Sequence, residues 1–244
     1  MNKNTLDLSP DEMRALGYRV VDLIADHFSH LAEKPVGAKG DPAVLRPLLR
    51  QPPPARPVPP DEIFATLARD VFPNMMNVGH PRFFAFVPVP SNFVSVMADA
   101  LSTGFNVFSG TWLGGSGSVA VELAVVDWLR QWCGLPETAG GIFVSGGSVA
   151  NLTAIVAARH ARLDDRIDRA TVYYSDQTHS SVDRAFHVAG FLPEQIRRIP
   201  SDAEFRLPVD ELARRIPEDR QAGLRPFAVV ANAGTTNTGA IDPL

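Results

Sequence analysis

The sequence predicts an α/β chain built on a mainly parallel sheet and preceded by an N-terminal helical arm. Three observations predict it. From about residue 140 onward, short apolar runs alternate with helical patterns, the signature of βαβ units. Three of those runs end in polar, small-residue loops, which a parallel sheet gathers along one edge. The composition, 244 residues with 45% hydrophobic and 20% charged, suffices for a buried core without disulfide staples.

The elements follow in order. Ser9, Pro10 and Glu12 supply an N-cap, a proline at the first helical position and a capping-box partner. Met13, Leu16, Val20, Leu23, Ile24, Phe28 and Leu31 then recur at helical spacing, an apolar stripe that demands cover. The stretch GAKGDPAVLRPLLRQPPPARPVPPDEIF holds six prolines within residues 51–60, so it is expected to be an extended, polyproline-like connector. A helix restarts over 61–71. At residue 80 the texture changes: HPRFFAFVPVP is aromatic and proline-punctuated, suited to a pocket wall. This divides the chain into an N-terminal helical segment with a proline-rich arm (1–79) and the start of a larger domain (80–244). Helices are predicted over 92–105 and 117–133. Then come a strand at Ile142–Val144, a helix over 149–162, a strand at Thr171–Tyr174 and a helix over 181–188. A run at Ile196–Ile199, a helix at Val209–Ile216 and a strand at Phe227–Ala231 complete the pattern.

Charge and residue counts exclude several function classes. Net charge is −4, from 23 basic and 27 acidic residues with no local basic stripe, so no nucleic-acid footprint is present. No apolar run approaches membrane-spanning length, and the first residues carry no signal core. Cys133 is the single cysteine, and His27, His30, His80, His160 and His187 lack metal-ligand spacing; no metal is expected. A cytoplasmic protein acting on small molecules is the expectation. Only Lys3, Lys34 and Lys39 are lysines, all remote in sequence from the polar loops.

Those loops are Ser145–Ser148, Ser175–Ser181 and Ala233–Thr238. The first opens a helix, where small residues, free N–H groups and the helix dipole suit a phosphate; it lacks the P-loop and G-x-G-x-x-G patterns, and a plain tight turn accounts for it equally. His179, near Asp176 and Ser180, offers a flat ring or an acid/base group, or simply a loop hydrogen bond. Thr235 and Thr236 could donate to a ligand oxygen or cap a following helix.

Taken together, HPRFFAFVP, Asp127–Leu129, SGGSVANLTAI, YYSDQTHSSVDRA and NAGTTNTGAIDPL resemble the group II pyridoxal-phosphate amino-acid decarboxylases, across nearly the whole chain. The resemblance implies a fold-type I, three-layer α/β/α architecture and a homodimer with active sites at the subunit interface. By position, Gly146, Gly147 and Ser148 match the family's phosphate turn, His179 the catalytic histidine stacked on the cofactor ring, and Thr236 the threonine near its phenolic oxygen. Phe86 and Pro88 fall in the substrate-pocket segment, and Phe108 matches a residue reaching into the partner's site. The first helix and the proline-rich arm match the family's dimer-clasping elements. Val149 stands where many members carry an acidic residue, and Phe86 and Val89 make the pocket segment less polar than in the aromatic-amino-acid enzymes.

The implied activity is pyridoxal-phosphate-dependent decarboxylation of an L-amino acid. Another fold-type I activity, transamination or aldehyde formation, and a catalytically inert truncated subunit stand as alternatives. The sequence reaches neither the family's aspartate for the pyridine nitrogen nor its Schiff-base lysine. An N-terminal portion, inactive alone, is therefore expected.

Overall fold

The computed structural model describes residues 7–244; Lys3 lies outside the described residues. The chain forms two compact units, one ending at Val107 and one spanning Phe108–Leu244.

In the first unit, α1 (Pro10–Ser29) begins on the expected capping box: the Ser9 hydroxyl accepts from the Glu12 N–H, and the Glu12 carboxylate accepts from the Ser9 N–H. Its apolar stripe is only partly covered: Leu31 is buried and Leu16, Ile24 and Phe28 are half-buried, while Met13, Val20 and Leu23 are exposed in the single chain. The connector is not extended throughout. Asp41 accepts from the Ala43 N–H and caps a helix, α2 (Pro42–Leu49). Pro42 sits at its first position, where a missing N–H costs nothing. Residues 38–41 and the proline-rich 50–59 carry no regular structure, and α3 (Pro60–Thr66) then runs into a wide turn at Leu67–Val71. His80 is buried, and its Nδ1 accepts from the Arg82 N–H at 3.0 Å, tightening the turn that leads to the aromatic segment. Asn92 caps α4 (Phe93–Gly104).

The second unit opens with α5 (Trp112–Trp132), capped by Thr111 and kinked at Gly115. A Cβ at Gly115 would lie 1.7 Å from the Phe108 carbonyl oxygen, so only glycine admits this approach. After α5, Ile142–Val144 does not form the strand its composition predicts. Ile142 and Phe143 are exposed, and no described strand lies alongside to pair with them. An apolar run becomes a strand only where a neighbour accepts its hydrogen bonds. The chain instead passes directly into α6 (Gly147–Leu163).

The sheet has three parallel strands, β1 (Ala170–Ser175), β2 (Ile196–Ile199) and β3 (Arg225–Val230), in the order β2-β1-β3. Crossovers run through α7 (Ser180–Val188) and α8 (Val209–Gln221). The central strand β1 is buried on both faces, hence its continuous ATVYYS run. Its alternate residues divide the core into two layers. Val172 and Tyr174 pack with Ile155 and Leu163 of α6 and Val182 and Phe186 of α7. Tyr173 packs on the opposite side with Ile199, Leu207 and, from α8, Leu212 and Ile216. The unit is therefore α/β/α, with the parallel sheet that the alternation of elements predicts and the layering that the resemblance implies.

Aromatic and polar contacts fix these layers. Tyr174 stacks on Phe186, Phe186 meets Phe191 edge-on, and Phe191 stacks on Phe227 of β3. Both buried phenols are satisfied: Tyr174 donates to Asp183 and Tyr173 to Asp219, each at 2.6 Å. Burial, reinforced by the Asp219 carboxylate, pushes the Tyr173 phenol up to about 12. Asp219 also receives Arg197 of β2 through a two-pronged contact at 2.9 Å. Burial opposes its charge, but the bonds from Arg197 and Tyr173 outweigh that and hold the carboxyl below its usual range.

Candidate functional site

The carboxyl ends of β1 and β3 carry the turn 176–179 and the loop 231–242. Two hydrogen-bonded clusters meet at residues 178–181. On one side, Asn151, in the second turn of α6, donates through Nδ2 to the Ser181 hydroxyl at 2.9 Å. That hydroxyl lies 2.8 Å from His179 Nδ1, which also accepts from the Ser181 N–H at 3.2 Å. His179 is thus the N-cap of α7, and Ser181 is buried. On the other side, the Asn232 Nδ2 donates to the Thr178 hydroxyl at 3.1 Å and to Asp242 at 2.8 Å. The 232–242 loop therefore hydrogen-bonds to the residue preceding His179.

The Asp242 carboxylate organises that loop. It is 2% exposed and takes backbone N–H bonds from Asn232 and Leu207, both at 2.7 Å. An antiparallel bridge joins Ala233 to Ile241 and closes the loop. Thr235 is buried and hydrogen-bonds Thr238 at 2.6 Å, so its hydroxyl is spent within the turn. Thr236 is exposed, and its hydroxyl has no partner among the described residues.

At the start of α6, Gly146 adopts φ 138°, ψ 171°, a conformation open to glycine alone. Its carbonyl receives the N–H groups of Val149 and Ala150. The N–H groups of Gly147 and Ser148 are left without an acceptor among the described residues, and no side chain caps the helix. Gly146, Gly147 and Ser148 are all exposed. The donor set comprises backbone N–H groups, one hydroxyl and the positive end of a 17-residue helix, and it suits a phosphate.

The other candidates are placed as follows. Phe86 and Pro88 lie in the first unit, exposed; Phe86 has φ 63°, an uncommon backbone for a bulky residue. Phe108 opens the second unit, with its ring over Gly110 and Gly114 and its carbonyl accepting from the Ser118 hydroxyl. The sequence reading passed over Asn151, Ser181, Asn232 and Asp242 as individuals. Each stands inside a motif quoted for another residue, and nothing in composition separates a buried carboxylate from a solvated one.

Residues 42–244 match the pyridoxal-dependent decarboxylase conserved domain. The chain belongs to the pyridoxal-dependent decarboxylase family. It is 50% identical to an aromatic-L-amino-acid decarboxylase of Bacillus atrophaeus, over 100% of this chain and 51% of that protein. A phenylacetaldehyde synthase of Petunia hybrida is 36% identical over 99% of this chain and 50% of its own. Among solved structures, Catharanthus roseus tryptophan decarboxylase in complex with L-tryptophan superposes with a TM-score of 0.90 at 32% identity, covering 98% of this chain and 54% of that one. The architecture is a partial α/β fold of type I, the fold of these decarboxylases. The chain spans about half the length of the curated relatives it matches. No helix among the described residues is long and apolar enough to cross a membrane.

Proposed function

We propose that the whole protein is a pyridoxal-phosphate-dependent carboxy-lyase that converts an aromatic L-amino acid to its amine and carbon dioxide. One observation carries the reading: in a chain of this family, hydrogen bonds link the α6 helix, the His179 turn and the Thr236 loop. Gly146, Gly147 and Ser148 would hold the cofactor's phosphate through the unpaired N–H groups and the Ser148 hydroxyl. His179 would lie against the cofactor ring and assist proton transfer, and the unpaired Thr236 hydroxyl would donate to a ring oxygen. Phe86, Pro88 and Phe108 would wall the substrate's side chain, Phe108 from the partner subunit. Their apolar character favours an aromatic side chain over an acidic one. Bound pyridoxal phosphate supplies an electron sink for the pair left at Cα as carbon dioxide departs.

No lysine occurs among residues 40–244, so the lysine that links covalently to the cofactor is not in the second unit. Residues 1–79 would clasp a second subunit in a homodimer; the uncovered stripe of Met13, Val20 and Leu23 supports this. One cysteine in 244 residues suits the cytoplasm, a reducing compartment.

The test is a product assay on the whole protein supplied with pyridoxal phosphate and, in turn, L-tryptophan, L-tyrosine, L-phenylalanine and L-glutamate. Amine and carbon dioxide in equal amounts from an aromatic substrate are expected. Aldehyde with ammonia and hydrogen peroxide, or keto acid without carbon dioxide, would replace this reading by the aldehyde-synthase or aminotransferase alternative.

A further inference from the structure

We propose that Ser181 and Asn151 are positioning residues that fix which nitrogen of His179 carries the proton. The inference rests on the reading of His179 as the ring-facing residue and adds a direction to its hydrogen bonds. That direction follows from counting donors. The Ser181 backbone N–H points at Nδ1, so Nδ1 must offer its lone pair. The Ser181 hydroxyl, 2.8 Å from the same nitrogen, then has to donate to it. Having given up its proton, the hydroxyl oxygen can only accept from its other neighbour. The Asn151 amide meets that need, donating through Nδ2 at 2.9 Å.

The chain of protons therefore runs one way, from Asn151 to Ser181 to His179, and leaves the neutral imidazole protonated at Nε2. Nε2 has no partner among the described residues and is the nitrogen free to act on a ligand. Burial makes the arrangement firm: Ser181 is only 3% exposed, so water does not readily replace either bond. Asn151 belongs to the helix whose first residues form the phosphate turn, so the ring's proton register is anchored to the element proposed to hold the cofactor.

The experiment compares imidazole 15N resonances of the wild type, Ser181→Ala and Asn151→Asp in alkaline buffer, with His179 assigned by its loss in His179→Asn. The wild type is expected to give a pyridine-like Nδ1 and a pyrrole-like Nε2. Ser181→Ala removes one of the two donors to Nδ1 at little cost in volume, and both resonances should move toward intermediate positions. Asn151→Asp keeps the shape but can only accept. The Ser181 hydroxyl should then turn toward the new carboxylate, raising the Nδ1–H fraction, the reverse of the wild-type order. In turnover of the whole protein, Ser181→Ala should lower kcat about tenfold with KM changed less than about twofold. Ser181→Thr, which restores the hydroxyl, should recover most of it. Identical resonances in all three proteins, or Nδ1–H in the wild type, would overturn the proposal. Normal turnover in His179→Asn would instead refute the parent reading and leave the resonance result standing.

Discussion

Asp242 and Asn232 lie ten residues apart and are joined three times: the carboxylate accepts the Asn232 backbone N–H at 2.7 Å and its side-chain amide at 2.8 Å, and the Asn232 carbonyl accepts the Asp242 N–H at 2.9 Å. Through that amide, which also reaches the Thr178 hydroxyl, the loop carrying Thr236 is tied to the turn carrying His179. Asp242→Asn replaces an acceptor that holds three N–H bonds with a group that can match only part of them. A loss of about 1–3 kcal/mol of stability is expected, with weaker cofactor binding. Thermal unfolding with and without pyridoxal phosphate measures both, and an unchanged melting temperature together with unchanged affinity would remove Asp242 from this role.

Gly146 separates conformation from space. An added Cβ would meet nothing within 4 Å, yet φ is 138°. Gly146→Ala should therefore act through the backbone alone, costing about 1–3 kcal/mol or forcing the turn to rearrange. The expected result is at least a tenfold loss of affinity for pyridoxal phosphate, read by absorbance titration, with little change in the far-ultraviolet spectrum. Wild-type affinity would show that the turn does not hold the phosphate.

His179→Ala should lower turnover by about 100-fold or more, the scale of general acid–base assistance, while cofactor content and melting temperature change little. The ring is exposed and its contacts are local, so its loss removes only the α7 cap, at a cost of about 1 kcal/mol, and leaves the core intact. Rapid measurement of carbon dioxide release tests this, and a kcat near that of the wild type would take His179 out of the reaction.

The pH dependence of stability has two limbs here. The folded state holds the Asp219 carboxyl below its usual value. Its contribution is therefore complete above that value, about 3.9, and is lost as pH falls through the folded one. The Tyr173 phenol is raised instead, so its contribution is present below pH 10 and disappears as pH climbs toward 12. Asp219→Asn should flatten the acid limb of a denaturation series, and Tyr173→Phe the alkaline limb between pH 10 and 12. Arg197→Ala, which strips the partner from a half-buried carboxylate, should cost about 2–3 kcal/mol at neutral pH. Parallel pH profiles for wild type and Tyr173→Phe would contradict the account.

Much of the fold is legible because local rules and tertiary structure agree. Ser9, Pro10 and Glu12 announce α1 by capping chemistry that needs nothing else from the protein. β1 reads as a strand because TVYY is a short β-branched and aromatic run followed by a helical pattern. Where the reading fails, the deciding partner lies elsewhere in space. Ile142–Val144 has strand composition but no neighbour to pair with among the described residues, and α2 hides among prolines whose positions suit a helix start. The candidate site divides in the same way. Gly146 and His179 stand out by residue type, whereas Asn151, Ser181 and Asp242 take their meaning from bonds that span between 10 and 35 residues.

Hydrogen–deuterium exchange with and without pyridoxal phosphate shows whether the α6 N-terminus, the His179 turn and the Thr236 loop hold one phosphorylated ring. Added cofactor should slow exchange in all three segments, residues 145–150, 176–181 and 232–238, while the α8 helix is unaffected. Protection missing from any of the three, or gained only elsewhere, would contradict a single shared site.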